Sequence, residues 1–195
     1  MTKTVKPAAS KKKPKSALAE LQESISSYFM PGIEHKVTDA ILKDHDALKK
    51  LGKILKDEKE TAARKKVVYH EFKSLLSSHT VAEEKFVYSL SEHFRDLKRK
   101  TEEGFVEHDV AETLMKKIHP PTTSRASLDH WTAQVQVLAE LVEHHLEEEE
   151  SDLIPALKKK LSAEQQQTSA EGFLKLRAKT QRVRRDNNLG ALKAH

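Results

Sequence analysis

Four long stretches of this chain repeat their apolar residues every three or four positions, the periodicity of helices buried along one face. Ile41, Leu48 and Leu55 share such a line with His45, and Val68, Phe72, Leu75, Phe86 and Leu90 share one with His79. Phe105, His108, Glu112 and Met115 form the third line; Trp131, Val135, Leu138, Val142, His145, Glu149 and Leu153 form the fourth. Gly and Pro, five and six in 195 residues, do little to interrupt these patterns. Four amphipathic helices with short connections pack most simply as an up-down-up-down four-helix bundle, so the expected fold class is all-α.

The bundle is expected over residues 35–160. Residues 1–16 are Lys-rich and lack apolar content, which predicts a disordered tail. Residues 17–34 place Leu18, Leu21, Ile25 and Phe29 at helical spacing before Pro31 and Gly32, a short amphipathic helix and turn. Residues 161–195 open with a capping box from Ser162 to Gln165 and continue as a basic C-terminal helix and tail.

Charge divides along the same boundaries. Residues 1–16 carry six lysines and no acid, and residues 173–195 carry seven Lys or Arg against Asp186 alone. A formal net charge of +5 therefore leaves the stretch between them acidic. Basic ends suit nucleic acid or another acidic partner, with Lys175, Arg177, Lys179, Arg182, Arg184 and Arg185 as the contact residues. Docking of this helix onto the acidic bundle of its own chain is the competing expectation. No run approaches the ~20 apolar residues of a transmembrane helix, and no apolar stretch follows the basic N-terminus as in a secretory signal. The expected localisation is cytoplasmic. Absence of cysteine excludes thiolate metal sites and cysteine nucleophiles, so any metal must be held by nitrogen and oxygen.

A helix pair occurs twice. "DHD…HTVAEE" and "EHD…HLEEEE" match, His45 preceding His79 by 34 positions and His108 preceding His145 by 37. In each pair the first helix offers an inward histidine and the second offers H-x-x-x-E: His79 with Glu83, and His145 with Glu149. Residues four apart lie one turn apart on one helix face, so both side chains reach one centre. Imidazole with carboxylate and no sulfur suits iron, zinc or manganese. The run "EHHLEEEESDLIP" also holds His144 with Glu148 at the same spacing, on a more polar line. A cation against Glu149 accounts for a glutamate on an otherwise apolar face.

These motifs, "KDHDAL", "HTVAEEKFVY", "VEHDVAETL" and "HHLEEEESDLIP", resemble those of hemerythrin-like, or HHE cation-binding, domains across roughly residues 36–158. The resemblance implies a four-helix bundle around two non-haem iron ions joined by carboxylates and a bridging oxo or hydroxo group. It matches His45, His79, His108 and His145 to iron ligands, and Glu83 and Glu149 to bridging carboxylates. Oxygen carriers of this family have a histidine one turn after the third-helix ligand, where this chain has Glu112. Glu112 is thus expected either as a further ligand, whose charge would favour the ferric state, or as a supporting or solvated residue. The carriers' last carboxylate lies five positions after its histidine, which keeps Glu150 open beside Glu149.

The implied function is a non-haem di-iron protein that binds or senses dioxygen or a related small ligand, or handles iron and reactive oxygen or nitrogen species. Binding, sensing or storage is expected ahead of enzymatic turnover of peroxide or nitric oxide. The alternative is a helical binding module that uses its basic termini on nucleic acid or another anionic partner.

Overall fold

Three helices in this chain begin where side chains satisfy their free N–H groups. Thr61 accepts from the Arg64 amide at 3.3 Å, and Ser124 accepts from the Ser127 amide at 3.2 Å. Ser162 and Gln165 cap reciprocally: the Gln165 amide donates to Ser162 Oγ at 3.1 Å and the Ser162 amide to Gln165 Oε1 at 2.9 Å. The structure, a computed structural model, describes residues 36–193 and the side chains of 36–182. The Lys-rich tail and the short helix expected over 17–34 lie outside the described residues.

Helices α1 (Val37–Lys56), α2 (Ala62–Glu83), α3 (Lys98–Lys117) and α4 (Arg125–Glu148) make the bundle. α1 packs on α2 and α4, and α3 packs on α4 and α2. Two shorter features extend the second and fourth helices. A π-helical turn, Glu84–Tyr88, follows α2, and a second, Glu149–Leu153, joins α4 to α5 (Ile154–Lys160). α6 (Ala163–Lys193) then lies along α1 and α2. All elements among the described residues are helices, as the apolar periodicity requires.

The core runs between α1, α2 and α4. Ile41, Leu48, Leu55, Phe72, Leu75, Leu76, Leu138 and Leu146 are all within 1 % of complete burial. Each such side chain stabilises the fold by about 1.5–3 kcal/mol, against about 1 kcal/mol for a helix cap. Packing therefore holds the bundle together, while the caps set where helices begin.

α6 is not a free basic helix over its described side chains. Gln166, Ala170, Phe173, Leu174, Arg177 and Gln181 form one buried face, while Lys175, Lys179 and Arg182 point outward. The expectation that Arg177 contacts an anionic partner is corrected: its guanidinium lies inside, 4 % exposed, against Asp44. A face of Ala170, Phe173 and Leu174 is covered most easily by the chain's own bundle, and Arg177 is carried inward with it.

Candidate metal centre

Polar side chains on the inner faces of the four helices collect within the core, with buried apolar residues on both sides along α1 and along α4 and its extension. His45, His79 and Glu83 are completely buried, and His108, His145 and Glu149 are 4–5 % exposed. Burying ionisable groups is costly unless they find partners, so the way these six are satisfied defines the site.

Their facing atoms fall into two overlapping sets. His45, His79, Glu83 and Glu149 form one, and Glu83, His108 and His145 form the other, with ligand atoms in each set within 4.8 Å of one another. Nε2 of His79 lies 3.1 Å from Glu83 Oε2, and Nε2 of His108 lies 3.7 Å from the same oxygen. On the other side, Nε2 of His45 and of His145 lie 3.4 and 3.6 Å from Glu149 Oε2. Both Glu83 oxygens, Glu149 Oε2 and the Nε2 atoms of His45 and His79 make no well-formed hydrogen bond despite burial. Atoms that converge without bonding one another fit a cation placed among them.

The outer nitrogens explain why all four rings point this way. Nδ1 of His45 meets Glu150 at 3.1 Å, Nδ1 of His79 meets Asp44 at 3.4 Å, Nδ1 of His108 meets Glu84 at 2.9 Å, and Nδ1 of His145 meets Glu107 at 2.7 Å. A carboxylate only accepts, so the hydrogen bonds of His45, His108 and His145 place a proton on Nδ1 and turn Nε2 inward, where its lone pair is available once no proton occupies it. His79 and Asp44 make a close ion-pair contact without a well-formed hydrogen bond. Carboxylates behind metal-binding histidines hold the ring and its tautomer in this manner. Nε2 of His108 and Nε2 of His145 face each other at 3.0 Å. Two bare lone pairs at that distance repel, and a shared proton or metal ion removes the repulsion.

The sequence repeat reappears in these contacts. Asp44 and Glu107, each just before a first-helix histidine, serve the second-helix histidine of their own pair. Glu84 and Glu150, each just after an inner glutamate, serve the first-helix histidine of the other pair. Spacing alone left Glu149, Glu150 and the His144–Glu148 pair all open. The geometry puts Glu149 inward and Glu150 behind His45, where Lys49 also binds it at 2.6 Å. His144 is 65 % exposed and meets Glu148 at 3.5 Å on the outer side of α4.

Glu112 requires a correction. Its carboxylate is 54 % exposed and pairs with Lys116 at 3.1 Å, away from the centre. The buried line of α3 runs through Thr101, Gly104, His108, Ala111 and Met115. After His108 the buried positions are Ala111 and Met115, three and seven residues on, and Glu112 falls on the exposed flank of the helix. The extra ligand charge expected from Glu112 is therefore missing from the inner set.

One inward group has no signal in the helical periodicity. Tyr88 is completely buried and donates its hydroxyl hydrogen to Glu149 Oε1 at 2.6 Å. In a regular α-helix a residue five positions after Glu83 would turn away from it. The π-helical turn, with bonds such as Ser89 N–H to Glu84 C=O, widens the helix and returns Tyr88 inward. Its ring stacks on His108 at 5.3 Å between centroids. Burial first, then the charges of Glu149 and Glu83, push the Tyr88 hydroxyl well above its ordinary pKa, so it remains a donor.

Without a metal, protons take up part of the cation's role. Burial would lower the histidine pKa values, but the neighbouring carboxylates outweigh it for His45, His145 and His79, the last pushed up to about 10. Burial would raise Glu149, yet the surrounding histidines hold it well below the ordinary carboxylate range. A divalent cation must displace those protons. Adding Zn²⁺ to metal-free protein at pH 7 in weak buffer should release at least one proton per ion bound, and apparent affinity should rise from pH 6 to 8. The raised His79 pKa also stabilises the metal-free fold below pH 6.5 and ceases to do so as pH rises through 10, so its melting temperature should fall over that interval. Proton release by pH-stat titration and pH-dependent melts check both statements.

A helical bundle with buried imidazoles and carboxylates facing a common centre is a cation-binding protein of the carboxylate-bundle class. Residues 36–157 match the hemerythrin HHE cation-binding domain, and the chain belongs to that family. It is similar to an uncharacterised hemerythrin-like protein of Schizosaccharomyces pombe, 29% identical over 142 residues, which cover 71% of this chain and 67% of that one. No solved structure is a significant match. Among the described residues, no helix is long and apolar enough to cross a membrane.

Proposed function

We propose that this chain is a non-haem di-iron protein that binds dioxygen or a related small ligand. The observation that carries the reading is the pair of overlapping donor sets sharing Glu83, with a second carboxylate, Glu149, beside both. One cation needs only one such set. His45 and His79 would hold the first ion, His108 and His145 the second, and Glu83 and Glu149 would lie between them. When bound, iron supplies the redox chemistry and the affinity for small oxygen- or nitrogen-containing ligands.

The chain's own residues orient and shield. Asp44, Glu84, Glu107 and Glu150 fix the four rings, and the closed apolar core beneath excludes water. A narrow cleft lined by Lys100, Gly104, His145 and Glu149 has about 10 Å³ of room, enough for roughly one water molecule. Tyr88 Oη holds a proton against Glu149 Oε1 and so keeps that oxygen partly neutralised.

The test is metal content per chain after purification with iron supplied, together with visible absorption in air and after reduction. About two irons per chain with absorption that bleaches on reduction is the expected result. Folded protein that takes up no iron, or only one ion, would remove the di-iron reading.

A further inference from the structure

We propose that Arg177, on a helix beyond the family-matched residues, positions metal-ligating His79 by holding Asp44 against its outer ring nitrogen. The inference rests on the di-iron reading and adds to it a residue outside the family-matched span, 36–157.

Arg177 Nε lies 3.2 Å from Asp44 Oδ2, and the same oxygen lies 3.4 Å from His79 Nδ1, both ion-pair contacts without well-formed hydrogen-bond geometry. All three residues are nearly or completely buried. Without Arg177 the Asp44 carboxylate loses the contact that turns Oδ2 toward His79. A carboxylate that swings away no longer holds the outer edge of the His79 ring or the inward aim of Nε2. Arg177 therefore acts on the metal centre through two side chains in series.

The position of α6 makes this contact specific. Gln166 Oε1 accepts from the Thr38 amide and hydroxyl at 3.4 Å, tying α6 to the start of α1. Phe173, completely buried, meets the His79 ring edge-on at 5.8 Å. Gly172 lets the helix close on Phe86, since a Cβ there would stand 2.2 Å from that ring. Gln166, Phe173 and Arg177 thus share one face along which α6 is registered against the His79 side of the centre.

The other half of the repeat lacks this support. Glu107 takes the place of Asp44 behind His145, and among the described residues no Lys or Arg pairs with it. The repeat is broken at this point, so loss of Arg177 should affect one ion and spare the other.

The test is an anaerobic titration of metal-free protein with Fe(II) against a competing chelator, for wild type, Arg177→Met, Asp44→Asn and the double variant. Arg177→Met should weaken one of two ions by about 10–100-fold, the usual effect of losing a group behind a ligand, and leave the other unchanged. In the Asp44→Asn background the same replacement should have no further effect. Arg177→Gln gives the same comparison if Arg177→Met does not fold. Equal weakening of both ions, unchanged binding, or full additivity of the two replacements would overturn the proposal. Failure of the wild type itself to bind two ions would instead remove the reading on which it rests.

Discussion

Replacing Glu83 with Ala should strip metal from both halves of the centre, with affinity for each ion falling by at least about 100-fold, or about 2.7 kcal/mol. Glu83 belongs to both donor sets, and its Oε2 is the oxygen nearest Nε2 of His79 and within 3.7 Å of Nε2 of His108. Each histidine belongs to one set only. His45→Ala or His108→Ala should therefore weaken one ion far more than the other, and metal analysis after dialysis separates the patterns. Two ions retained in the Glu83→Ala protein would show that Glu83 is not shared.

The second large effect is steric. A Cβ on Gly104 would stand 2.3 Å from Tyr88 Oη and 2.7 Å from its ring carbon, so Gly104→Ala must displace a completely buried tyrosine. Overpacking of this kind costs about 1–3 kcal/mol, and the lost bond to a charged acceptor adds about 1.5–3 kcal/mol. At about 2–4 °C per kcal/mol for a chain of this size, the melting temperature should fall by roughly 5–20 °C. Gly52→Ala is the control. Its Cβ would meet Phe72 and Ala139 at 3.7 and 3.8 Å, ordinary contact distances. Inside a helix that exchange should stabilise by about 0.5–1 kcal/mol. Opposite signs from one chemical change at two helical glycines would locate the constraint at Tyr88; equal signs would refute it. Thermal melts of the metal-free proteins give the comparison.

The helices and the inward histidines were legible in the sequence because burial repeats with the helix period. Leu138, Val142 and His145 lie on one line whichever partner covers it, and H-x-x-x-E places His79 with Glu83 by local geometry alone. The twofold pattern of "DHD" and "EHD" with two later H-x-x-x-E motifs also pointed to one shared centre. Period cannot say which residue of a neighbouring helix faces a given side chain. Asp44 serves His79 and not the adjacent His45, Glu107 serves His145, and Glu84 and Glu150 serve histidines of the opposite pair. Those choices depend on how far apart the helices sit and how they are rotated. Glu112 shows the limit most directly: the four-residue offset that keeps Glu83 with His79 and Glu149 with His145 leaves the inner face on α3, where packing buries Ala111 and Met115 instead.

Two further features belong to the tertiary structure alone. The π-helical turns change the phase of α2 and α4 where they pass the centre, which brings Tyr88 inward from a position that a 3.6-residue period assigns elsewhere. Helix α6 reads from its composition as a basic surface either for an external anion or for the acidic bundle of its own chain, and Ala170, Phe173 and Leu174 bind it to the bundle and carry Arg177 to Asp44. Local spacing determined which side chains share a helix face, because that follows from covalent geometry. Packing decided what each face meets, because that depends on residues far apart in the chain.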